Sequence, residues 1–335
     1  MYKDDMMMKK TTAGVLLAAL LLSFAVFLGG CARKDRDDGK IIVLCTVFAE
    51  YDWMRQIVGD APGVEVSLLI GKGADLHSYQ STAADIVKIS GANLVATVGG
   101  SSDEWVSEAI AQANRKQKNE IVEVSLAGLD GMSLYLAEKE AFLGEDDHDH
   151  GHDHEDESFD EHIWLSLRNA EVACRAYAQA LGELDSARAE QYRENAEAYI
   201  SELKALDADF AAFCQTVPQR RILVADRFPF VYLAEDYQIG YSAAFEGCTT
   251  ETNAGFDTVK RLVGRADEWN VSCILVTESS DRKLAEQVIR ESNSADRQIL
   301  VLSSMQSVTA EQIDGGATYL SLMQQNFQTL RQALS

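Results

Sequence analysis

The strongest constraint on the fold is an alternation that occurs twice and is interrupted once. From Ile41, short apolar β-rich runs, IIVLCT (41–46), VEVSLLI (64–70), Leu94–Val98 and Ile121–Val124, alternate with helically spaced stretches at Tyr51–Val58 and Asp103–Ala113. From Arg221 the pattern starts afresh with ILVA (222–225), IGYSAAF (239–245), CILVT (273–277) and ILVLS (299–303). Helices are expected after these strands at Phe230–Tyr237, Ala254–Asn270, Asp281–Arg290 and Ala317–Ala333. Strand and helix alternating at this spacing specify βαβ units and a parallel sheet. Between the two blocks the chain reads as helix. Val172, Ala173, Ala176, Tyr177, Ala180 and Leu181 form one apolar stripe, and Gly182 to Ser186 interrupt it. Tyr192, Ala196, Tyr199, Leu203, Leu206 and Phe210 then recur every three or four residues. Ser186 is a candidate cap, and a helix from there to Phe213 is about 42 Å long. The expected fold class is α/β, with two parallel-sheet lobes (41–167 and 217–335) joined by a long α-helix within 168–216. A chain of 335 residues has room for two such cores.

The N-terminus reads as an export signal. Lys9 and Lys10 precede an apolar run from Ala13 to Leu28, which ends Leu28-Gly29-Gly30-Cys31. A positive flank, a short apolar run and small residues before a cleavage point define a secretory signal, and the run is too short to favour a spanning helix. Cys31 after Leu-Gly-Gly resembles the bacterial lipobox, whose cysteine receives lipid; residues 1–30 are then a signal peptide and 31–40 a tether. The expected location is the outer face of the bacterial cytoplasmic membrane. A formal net charge of -23 argues against a nucleic-acid partner. Cys45, Cys174, Cys214, Cys248 and Cys273 remain after cleavage, an odd set without a CxxC pair. Cys45 and Cys273 sit in apolar runs, where a small buried thiol is the ordinary explanation.

Five of the six histidines crowd into Glu145–Asn169. His148, His150, His152 and His154 alternate with acids around Gly151, in a loop (144–160) too polar to bury. Repeated imidazoles of this kind capture transition-metal ions loosely, against the plainer reading of a solvated acidic loop. His162 stands beside Ile163 and Trp164, where a folded element begins, so its ring can be fixed in place. His77 lies upstream in GADLHSYQSTAAD, on the loop after the strand run 64–70. In parallel sheets ligands gather outside the carboxyl ends of strands. A backbone-bonded loop histidine and a core histidine are the bland alternatives for the two.

These segments carry a family resemblance. GADLHSYQSTAADI resembles the G-A-D-P-H-x-Y segment of the metal-binding proteins that serve zinc and manganese ABC importers. EHIWLSLRNA resembles that family's H-x-W-L-x-P-x-N-A segment, and YLSLMQQNFQTLRQAL its closing helix. The resemblance implies two α/β lobes bridged by a rigid helix, one metal ion in the interlobe cleft, and His77 and His162 as ligands. It implies Zn²⁺ as cargo, with Mn²⁺ possible, and as partners an ABC permease with its ATPase and the membrane through the lipid anchor, the chain itself being monomeric. In the second lobe the match weakens. The third ligand slot falls on Arg227, which cannot bind a cation, and Ser303 and Ser304 stand in the fourth. Asp226 and Glu278 are the nearest carboxylates, and a dication held by two neutral imidazoles calls for one or both of them. The alternatives for Asp226 are a salt bridge or loop cap, and for Glu278 an acid at a helix start; Glu246, Cys248 and Glu251 are weaker candidates. A zinc hydrolase is disfavoured because the chain lacks HExxH, and a surface adhesin or metal buffer remains a competing role for the same fold.

Overall fold

The computed structural model describes residues 39–71, 73–116, 120–136, 159–245, 247 and 254–335. The leader, Cys31, and the loop histidines His148, His150, His152 and His154 lie outside them, as do Glu246, Cys248 and Glu251. Residues Ile41–Ser335 form one compact unit. Among the described residues no helix is long and apolar enough to cross a membrane.

The first lobe is built from β1 (Ile41–Cys45), α1 (Phe48–Val58), β2 (Val64–Leu68), α2 (Ala83–Ile89), β3 (Leu94–Thr97), α3 (Glu104–Asn114) and β4 (Val122–Ser125). Its four strands run parallel in the order β2-β1-β3-β4, with Ile41 opposite Val64 and Leu94 opposite Val122. Every strand therefore ends on the same edge, where loops rather than ladders occupy the backbone. The start of α2 is set by a capping box. The Thr82 hydroxyl accepts from the Asp85 amide, and the Asp85 carboxylate accepts from the Thr82 amide at 3.0 Å.

The second lobe repeats the plan with β5 (Arg221–Arg227), α6 (Val231–Tyr237), β6 (Gly240–Phe245), α7 (Phe256–Glu268), β7 (Cys273–Val276), α8 (Lys283–Glu291) and β8 (Gln298–Val301). Its strands are also all parallel, in the order β6-β5-β7-β8, which is the arrangement of the first sheet over again. A short α9 (Ala310–Asp314), capped by Thr309, and α10 (Tyr319–Ala333) close the chain.

Between the lobes run α4 (Leu167–Leu184) and α5 (Ala189–Thr216). The break between them falls later than the sequence suggests. Ser186 does not cap; Arg188 holds the N-cap position, with no side-chain hydrogen bond. Gly182 serves the packing instead. A Cβ there would lie 2.9 Å from the Cβ of Ala189, so the glycine lets the second helix turn back closely against the first. One apolar core passes through both lobes and the link, taking in Val43, Trp53, Trp164, Tyr177, Phe210, Val224 and Tyr319. Trp53 on α1 meets the ring of Tyr319 from α10 edge-on at 4.9 Å. The Tyr319 amide donates to Asp52 at 2.9 Å, so the last helix is bonded to the first lobe. Cys45, Cys174, Cys214 and Cys273 are buried free thiols.

Candidate metal centre

The loop after β2 folds into a short helical turn, Leu76–Ser78, because Asp75 caps it by accepting from the His77 amide at 3.0 Å. That turn aims the His77 ring across the carboxyl edge of the sheet. Its Nδ1 lies 2.7 Å from Ser102 Oγ and 3.3 Å from Glu161 Oε2. Ser102 belongs to the loop after β3, so two strand ends converge on one imidazole.

His162 is fully buried at the start of a second short turn, Ile163–Leu165. Asp160 Oδ1 accepts from the His162 amide at 2.9 Å and contacts its Nδ1 at 2.8 Å. A buried carboxylate facing Nδ1 places the ring proton there, which leaves Nε2 as an acceptor. The two Nε2 atoms face each other at 3.2 Å, with ring centroids 4.9 Å apart.

Glu161, between the two, turns the other way. Its Oε1 accepts from Ser101 Oγ at 2.8 Å and the Ser102 amide at 3.2 Å. Gly100 makes this possible, since a Cβ at that position would lie 2.4 Å from the Glu161 carboxyl carbon. Burial works against the Glu161 charge, but hydrogen bonds from His77, Ser102 and Ser101 outweigh it and bring its pKa to about 2. The dipeptide Asp160-Glu161 thus sets one ionised carboxylate, and a second carboxylate bonded to the ring, behind two different imidazoles.

The second lobe closes the site with a residue absent from the sequence reading. Gln306 Nε2 lies 2.7 Å from His162 Nε2, on the loop after β8. Ser304 in the same loop donates to Glu278 Oε1 at 2.8 Å and lies 3.1 Å from Gln306 Oε1, while its amide donates to Glu278 Oε2 at 2.8 Å. Glu278 therefore anchors the loop that presents Gln306. Asp226 is engaged at its own strand end, accepting from the Arg227 amide at 2.8 Å and from Thr277 Oγ1 at 2.8 Å. Among the described residues no group of three or more His, Cys, Asp or Glu is placed to hold a metal ion, so neither carboxylate joins the histidine pair as a ligand here. Arg227 reaches across to the first lobe, 3.6 Å from Asp75. The seam is held further by Trp164, whose Nε1 donates to the Ser304 carbonyl at 2.8 Å, and by Tyr232, whose hydroxyl donates to the Asp160 carbonyl at 2.7 Å.

Gln306 stands two residues after Ser304, one of the two serines on which the resemblance sets the fourth slot.

Two α/β lobes of the same strand order, bridged by paired helices and meeting at a buried histidine pair, define a two-lobed binding protein with its site on the seam. The chain belongs to the family described as zinc-uptake complex component A periplasmic, whose model matches residues 43–333. It is 29% identical over 325 residues to the zinc-binding lipoprotein AdcA of Streptococcus pneumoniae, covering 97% of this chain and 61% of AdcA. The chain therefore spans about three fifths of that relative. It is 23% identical to a metal ABC transporter substrate-binding lipoprotein of Lactococcus lactis, over 96% of this chain and 97% of the relative. Among solved structures, the metal-dependent lipoprotein YcdH from Bacillus subtilis superposes with a TM-score of 0.72 at 23% identity, covering 88% of this chain and all of the other. That likeness establishes the fold.

Proposed function

We propose that this protein captures a divalent transition-metal ion, Zn²⁺ first among them, outside the cytoplasm and delivers it to an ABC permease. The observation that carries the reading is the pair of Nε2 atoms facing each other at 3.2 Å. Two nitrogens bound to one tetrahedral zinc at about 2.0–2.1 Å stand about 3.4 Å apart. The rings are thus already spaced as two corners of a zinc polyhedron. His77 and His162 bind the ion from the first lobe, and Gln306 meets it from the second through its amide oxygen. Exchanging the amide's two ends is a half-turn about the last side-chain bond. Asp226 and Glu278 act one step back, holding the strand end and the loop from which Gln306 reaches the ion.

The family and the relatives' names support transport over catalysis, and the donors fit it. A zinc hydrolase needs an open water position beside a general base, whereas both nearby carboxylates stand behind the imidazoles. Lipid attachment at Cys31 and a first, weaker capture by His148, His150, His152 and His154 belong to the same proposal. Calorimetric titration of the mature protein with Zn²⁺ tests it. One tight site that disappears in the His77→Ala, His162→Ala double variant supports the reading; unchanged tight binding in that variant refutes it.

A further inference from the structure

We infer that Asp160 and Glu161 are positioning residues that neutralise the bound cation from behind the two imidazoles and so keep carboxylate oxygen off the ion, selecting Zn²⁺ over Mn²⁺. This rests on the proposal that His77 and His162 hold the ion.

The argument starts from charge. Two imidazoles and one amide bring no negative charge to a dication, and the nearest acid in front of them, Glu278, is bonded to Ser304 rather than facing the rings. Gln306 is neutral, and Arg227, on the second-lobe strand end, is itself a cation. The compensation comes from the other side of the rings. Asp160 lies 2.8 Å from His162 Nδ1 and Glu161 lies 3.3 Å from His77 Nδ1, both carboxylates buried with their histidines. Two consecutive residues thus serve two ligands that lie 85 positions apart in the chain.

The spare capacity of these acids points the same way. Asp160 Oδ2 is a buried oxygen without a hydrogen bond, and Glu161 Oε2, also buried, faces the His77 ring at 3.3 Å. Oxygens left so are costly unless a positive charge is expected nearby. For Glu161 the charge arrives through His77. When Nε2 ligates, the ring proton sits on Nδ1, where it faces Ser102 Oγ at 2.7 Å and Glu161 Oε2 at 3.3 Å. A carboxylate behind the ring strengthens an imidazole donor. The shell around the ion is then mainly nitrogen, which suits zinc, whereas manganese favours carboxylate oxygen.

The test moves the charge from behind the rings to the front. Asp160→Asn with Glu161→Gln removes it, and Gln306→Glu adds one on the open side. Zn²⁺ and Mn²⁺ are each titrated into the wild type, the double variant and the triple variant, with circular dichroism as the folding check and ¹⁵N shifts of the His77 ring as the tautomer readout. The double variant is expected to bind zinc about 100-fold more weakly, at the upper end of what such partners contribute. The triple variant should regain most of the zinc affinity but lose about tenfold in preference over manganese. In the wild type, zinc should hold the His77 proton on Nδ1, and in the Glu161→Gln variant it should do so less completely. The inference is overturned if the folded double variant binds zinc like the wild type, or if Gln306→Glu restores nothing. Failure of the wild type to bind zinc at all overturns the underlying site instead, so the two failures are distinct.

Discussion

The Nε2 atoms of His77 and His162, 85 residues apart in sequence, stand 3.2 Å from each other on the seam between two lobes. Everything nearby fixes that distance: Asp75 sets the turn under one ring, Asp160 sets the backbone and the ring of the other, and Gln306 approaches from the opposite lobe.

Removing either ring should therefore cost more than removing any partner behind it. His77→Ala and His162→Ala are each expected to weaken zinc binding by more than about 100-fold, above the range of outer partners. Competition with a zinc-chelating dye measures this. Near-wild-type affinity in either variant removes that histidine from the site.

The acidic histidine loop should be separable from the cleft. Deleting His148–His154 is expected to leave one tight zinc site intact while abolishing weaker binding events in calorimetry. Gathering four histidines of a polar segment around an ion costs conformational entropy that preset rings do not incur. Loss of the tight site on deletion contradicts this.

Gly100 gives a test without touching any ionisable group. A methyl there would meet the Glu161 carboxyl group at 2.4 Å, so Gly100→Ala must displace it from His77. The fold should survive, because the site is a loop, while zinc affinity falls by about tenfold. A melting curve and a zinc titration together decide it.

Below the site lies a second buried acid with a different consequence. Burial, reinforced by the charge of Asp103, pushes Glu50 from 4.5 up to about 8, against hydrogen bonds from Val47 and Thr46. The folded chain keeps this proton between those two pH values, whereas the unfolded chain has released it. Raising the pH through that window therefore favours unfolding. Glu50→Gln should remove the dependence, so its melting temperature should gain on the wild type as pH rises from 4.5 to 8. Parallel melting curves across the window, with no change in the difference, contradict it.

Much of the fold was legible because period and punctuation agreed. IIVLC, VEVSL and CILV are apolar runs of strand length, and each became a parallel strand. Thr82 and Asp85, three residues apart, have the spacing of a capping box and form one. The end of α4 was misplaced because Gly182 reads as a breaker in sequence, whereas in three dimensions it is a contact with Ala189. In the site, His77 and His162 stood out as rare residues at strand and helix boundaries. The charge balance did not. Two neutral imidazoles call for a carboxylate from the second lobe, at Asp226 or Glu278, whereas the carboxylates that contact the imidazoles in the structure are Asp160 and Glu161. Side-chain direction hid them: neighbours in sequence face opposite ways, one to its own histidine and one to the distant ring.

The most direct test is a crystal of the zinc-loaded protein measured at the zinc absorption edge. The account predicts one strong anomalous peak within about 2.1 Å of both His77 Nε2 and His162 Nε2. A peak elsewhere, or density between the two rings with no anomalous signal, contradicts it.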